Sequence, residues 1–82
     1  MGITRWIVRS FLASCVREAQ SRFGGIDADG LFNTACFQQA VKRHCGLMPT
    51  RTCAEYLLFS YGCDQLPGGS YWQYPGSVKS SI

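Results

Sequence analysis

An all-α fold is predicted: an N-terminal amphipathic helix, an αα-hairpin and an irregular C-terminal arm. Three observations carry that expectation. Apolar residues recur every four positions across residues 3–23, two short helical stretches flank a Pro-bearing turn near Pro49, and no periodicity survives after Cys63. The chain has 82 residues, 46% of them apolar and only 16% charged, too apolar for a disordered polymer. It forms one small domain at most, because a chain this short buries only about 60% of its unfolded surface. Disulfides, a metal or a partner surface commonly make up the difference.

The first helix is assigned to residues 1–23. Ile3, Ile7, Phe11, Cys15, Ala19 and Phe23 fall at four-residue steps, with Trp6, Val8, Leu12 and Val16 beside them. That spacing predicts a broad apolar face flanked by Arg5, Arg9, Arg17 and Arg22, ended by Gly24-Gly25. Docking on protein is the expected use of this face, with Trp6 and Phe11 as partner-binding residues. Contact with a membrane surface is the other use that a basic amphipathic helix allows. No apolar run is long enough to span a bilayer. Leu12-Ala13-Ser14-Cys15 has the form of a lipoprotein cleavage box, but Arg9 breaks the apolar stretch a signal peptide needs, so no cleavage is expected.

Residues 24–35 form a turn-rich connector. Asn33 or Thr34 is placed to cap a second helix with its body at Cys36–Cys45, on which Phe37, Val41 and Cys45 share a face beside Ala40. Gly46 stops it and Pro49 prevents continuation. Thr52 and Glu55 have capping-box spacing, which marks a third helix over about 53–61, ended by Gly62. Residues 64–82 contain breakers and then Tyr71, Trp72 and Tyr74. Such a segment has no period with which to pack on itself, so these three aromatics are expected to bind a partner chain as an extended arm.

Four cysteines lie in the hairpin, at intervals C-x8-C for Cys36 and Cys45 and C-x9-C for Cys53 and Cys63. Four half-cystines allow three connectivities. Antiparallel packing favours the nested one, Cys36 with Cys63 and Cys45 with Cys53. Each bridge would contribute about 2–4 kcal/mol by loop closure, without simple addition. Cys15 is left over, free or bridged to another chain.

The stretches Cys36–Cys45 and Cys53–Cys63 resemble the twin C-x9-C, or coiled-coil-helix-coiled-coil-helix, family. The resemblance covers residues 36–63. It implies a small disulfide-stapled protein of the mitochondrial intermembrane space, peripheral to the inner membrane. It also implies a non-catalytic accessory subunit of a large assembly such as a respiratory-chain complex, with other subunits as partners. A soluble assembly factor of the same compartment is the alternative within the family. The first pair departs from the pattern: nine residues are about 900° of helix, which sets Cys36 and Cys45 on opposite faces.

Other chemistries fit the residues less well. Structural zinc prefers short C-x2-4-C knuckles, and none occurs. Asp27-Ala28-Asp29-Gly30 resembles an EF-hand loop. With Gly30 at its sixth position, the first and twelfth fall on Gly25 and Cys36, where calcium needs carboxylates. Asp29-Gly30-Leu31-Phe32, Ala40-Val41 and Gly46-Leu47 resemble, off register by one residue, a bacterial or phage peptidoglycan-binding repeat, which keeps a binding module in view. A net charge of +3 without a dense basic stripe argues against nucleic acid. His44 beside Cys45 points to a different helix face, so neither a thiol nucleophile nor any catalysis is expected. No metal, cofactor or small-molecule substrate is expected.

Overall fold

A computed structural model describes residues 2–23 and 31–75, with side chains from 7–22 and 31–75. Three helices carry most of it: α1 (Gly2–Phe23), α2 (Thr34–Cys45) and α3 (Arg51–Tyr61). The all-α expectation is corrected by three short strands, β1 (Phe32–Asn33), β2 (Asp64–Gln65) and β3 (Tyr71–Gln73). They form one antiparallel sheet in the order β1-β3-β2, with Phe32 opposite Trp72 and Asp64 opposite Gln73.

Local chemistry sets the helix ends. Asn33 caps α2, its side chain accepting the Cys36 N–H at 2.8 Å, and Gly46 closes the helix at φ 86°, where a residue with a Cβ is strained. On α3 the expected cap moves back two residues: Thr50, not Thr52, accepts the Cys53 N–H at 3.1 Å, so the helix begins at Arg51. The Gly24-Gly25 stop and the Asp27–Gly30 loop lie outside the described residues.

The core begins on α1 at Leu12, Cys15, Val16 and Ala19, spaced at one and two turns, and these meet Phe37, Ala40 and Val41 of α2. Contacts step from Phe11 against His44 to Arg22 beside Cys36, so α1 and α2 run in opposite directions. The pairing of α1 with α2 is more extensive than that of α2 with α3. Among the described side chains of α1, the expected apolar face is covered from Phe11 onward, and Ile7 and Val8 are exposed.

Residues 64–75 are not an extended arm. Pro67-Gly68 turns the chain back, Gly68 at φ 101° as a type II turn demands at its third position. The Gly69 N–H donates to Leu66 O at 3.0 Å, and β3 returns between β1 and β2. Trp72 is fully buried and joins Phe32, Phe37, Ala54 and Leu58 in the core. Its indole N–H donates to Thr34 Oγ1 at 2.8 Å, and the Thr34 hydroxyl donates to Ser70 O at 3.3 Å. A strand pair of two or three residues has no readable period, yet this one places the largest side chain of the segment at the centre of its own domain. Residues 76–82 lie outside the described residues.

Candidate functional site

The partner residues expected from sequence separate into three groups. Trp72 is part of the core and is removed from any contact surface. Phe11 and Tyr74 are half-buried: Phe11 meets the His44 ring edge-on at 6.3 Å, and Tyr74 stacks on Tyr61 at 4.8 Å. Arg9 lies 5.3 Å above the other partner of that stack, the Tyr61 ring. Burial, then the hydrogen bond to Tyr74, push the Tyr61 phenol above its ordinary pKa. Tyr71 is exposed, on the sheet face opposite Trp72. The side chain of Trp6 lies outside the described residues.

The exposed aromatic surface is on α3 instead. Ala54 and Leu58 face the core, which turns Tyr56 and Phe59 outward, 70% and 56% exposed and one turn apart. Beside them on the helix stand Thr52, Cys53 and Ser60. The helix's two charged residues, Arg51 and Glu55, pair with each other at 3.2 Å. The Phe59 ring meets Trp72 at 4.9 Å in an edge-to-face contact. Its inner edge therefore rests on the buried indole, and its outer face meets solvent. Sequence reasoning passed over this pair because Tyr56-Leu57-Leu58-Phe59 reads as one apolar run. Its signal was the spacing opposite Ala54 and Leu58.

All five cysteines are free thiols. Cys36 lies inside the regular part of α2, in the groove lined by Arg22, Gln39, Lys42 and Arg43, and so faces the end of α1. Cys45, half a turn out of phase with it, is exposed, its thiol 3.8 Å from Leu47 O. The nested pairing expected from antiparallel packing is not formed in this structure: α2 keeps its helical phase through Cys36, which leaves Cys36 and Cys45 on opposite faces. Cys15 and Cys63 are buried. Burial first, then the Glu18 charge, pushes the Cys15 thiol up to about 11; burial, then Asp64, pushes Cys63 up to about 12.

One ionic cluster spans the seam between α1 and α2. Glu18 Oε2 accepts from Arg22 Nε at 3.2 Å and forms an ion pair with Arg43 Nε at 2.8 Å, and His44 Nε2 lies 2.9 Å from Oε1. Partial desolvation works against the charged carboxyl. The His44 hydrogen bond and the Arg43 charge outweigh it, and the carboxyl sits below its ordinary pKa. Among the described residues no three His, Cys, Asp or Glu side chains come together as metal ligands, and no helix is long and apolar enough to cross a membrane.

No family model matches the chain, no curated protein matches it, and no solved structure matches it. What the chain does is therefore read from its own surfaces.

Proposed function

We propose that this chain is a non-catalytic accessory subunit that works by docking the outer face of α3 onto another protein of a larger assembly. The observation that carries the reading is the exposed Tyr56–Phe59 pair on α3, whose two charged side chains, Arg51 and Glu55, pair with each other. Aromatic side chains that lose little freedom on burial dominate protein interfaces. Phe59 meets that condition because Trp72 already holds one edge of its ring. The tryptophan expected to bind a partner thus supports the residue that does. In the source cell, the tagged chain should migrate in a stoichiometric complex, and the Y56S/F59S variant should migrate as a free chain that still unfolds cooperatively, at a temperature lowered by loss of the Phe59–Trp72 contact. Wild-type chain running free, or a double variant retained in the complex, would sink the reading.

Residence in the mitochondrial intermembrane space, on a respiratory-chain complex, is supported by the C-x9-C spacing of Cys53 and Cys63. A binding module with reduced thiols is the second reading, favoured by the opposed faces of Cys36 and Cys45 on an unbroken helix. Intact-mass thiol counting on protein from its source, with peptide mapping, separates them. Cys36–Cys63 and Cys45–Cys53 links support the stapled clip, and five free thiols support the reduced module.

A further inference from the structure

We propose that the groove between the end of α1 and the side of α2 is an oxyanion site of the phosphate class. In this site Arg22, Lys42 and Arg43 supply the cationic contacts, and Glu18 positions the two arginines. The groove encloses about 600 Å³ and opens to solvent, lined by Arg22, Cys36, Gln39, Lys42 and Arg43. Among the described residues that line it, Arg22, Lys42 and Arg43 are cations and none is an acid.

The shared carboxylate makes it more than a solvated basic patch. Glu18 Oε2 accepts the Nε–H of Arg22 at 3.2 Å and forms an ion pair with Arg43 Nε at 2.8 Å. A guanidinium held at its Nε presents its two terminal NH2 groups as further donors. One carboxylate oxygen thus anchors two planar forks from two helices, the arrangement that matches the edges of a phosphate. Lys42 has no ion-pair partner among the described residues and adds a third cation. Among the described residues Glu18 is the one acid in contact with the cluster, with His44 at its other oxygen. The volume exceeds what a bare phosphate fills, and the uncharged Gln39 and Cys36 line the remainder. The ligand class is accordingly a phosphomonoester, whether a soluble metabolite or a lipid headgroup.

The test titrates the full chain with inorganic phosphate and O-phosphoserine by amide NMR. Sedimentation with phosphatidylcholine vesicles, with and without phosphatidic acid, runs beside it. Shifts centred on Arg22, Gln39, Lys42 and Arg43 are expected, and Cys36 should alkylate more slowly in saturating ligand while exposed Cys53 does not change. O-phosphoserine binding identifies a soluble ligand, and binding only to phosphatidic acid vesicles identifies a headgroup. K42Q and R43Q should each weaken binding by about tenfold, the loss of one charge-assisted contact.

The decisive variant is E18Q. If the cations act only through net charge, removing the carboxylate tightens binding. If Glu18 holds the forks, binding weakens although a negative charge has gone. No saturable response to either soluble ligand or to phosphatidic acid overturns the proposal, as does binding that K42Q leaves unchanged. Tighter binding by E18Q overturns the positioning role.

Discussion

The seam between α1 and α2 and the plug around Trp72 hold the same domain together in opposite ways. The seam spreads its burial over small and medium residues, Leu12, Cys15, Val16, Ala19, Ala40 and Val41, and closes its rim with the Glu18 cluster. The plug concentrates burial in one indole, fixed by one hydrogen bond to Thr34 and two strands of the sheet. Distributed packing tolerates the loss of any one contact, because its neighbours keep the interface. Concentrated packing does not. The difference also has a functional side, since the plug supports Phe59 and the seam carries the cationic groove.

The sharpest way to break the comparison is Trp72→Ala. Deleting a fully buried indole should cost about 3–5 kcal/mol, a large part of what a domain this small has. The cooperative thermal transition should be lost. A variant that still melts within a few degrees of wild type would mean that the helices alone specify the fold. Each region also holds a buried thiol, Cys15 in the seam and Cys63 beside the sheet. Both have folded pKa values above the ordinary 9.0, so their contribution is complete below that pH and declines as pH rises toward about 11 and about 12. The loss is at most about 1.4 kcal/mol per pH unit for each thiol. Alkaline melts should show Cys63→Ala flattening the pH dependence more than Cys15→Ala. The reverse order would put the drier environment in the seam.

Thr34→Val tests the plug more gently. It keeps the shape but leaves the Trp72 indole N–H buried without an acceptor, at a cost of about 1–3 kcal/mol. Faster exchange of that indole proton should accompany the lower melting temperature. An unchanged melting temperature would show that the ring's burial, and not its hydrogen bond, fixes β3.

These regions also differ in how far the sequence discloses them. The seam follows helical spacing, and α2 was readable from Asn33 to Gly46 because cap, apolar face and glycine stop agree about one 12-residue helix. The plug was hidden. Its strands are two or three residues long, and Tyr71-Trp72-Gln73-Tyr74 looks the same whether the ring is buried in its own chain or another's. Glu18 was half visible: Arg22 lies at the helical i, i+4 step, but Arg43 and His44 reach it only once α2 folds back along α1. Cysteine spacing set Cys36 and Cys45 on opposite faces of α2, but a count of intervening residues does not say which neighbour each face meets.

The smallest expected effect belongs to the seam's rim. Glu18 holds its charge against Arg22, Arg43 and His44, and its carboxyl pKa is lowered in the folded chain. A lowered value means the stabilisation is present above the unfolded carboxylate pKa and is lost as pH falls through the folded one. Wild-type melting temperature should therefore drop on acidification, and E18Q should drop less, starting from a slightly lower value at neutral pH. Because the cluster sits at the solvent edge, the gap between the two proteins should narrow as salt is raised, the signature of a screened surface pair. A gap that persists in high salt would mean that the carboxylate acts through hydrogen-bond geometry more than through charge. The rim would then rank with the Trp72–Thr34 contact as a fixed point of the fold. The two arginine forks would stay in place even where ions screen their charge, which is the property an oxyanion site in that groove requires.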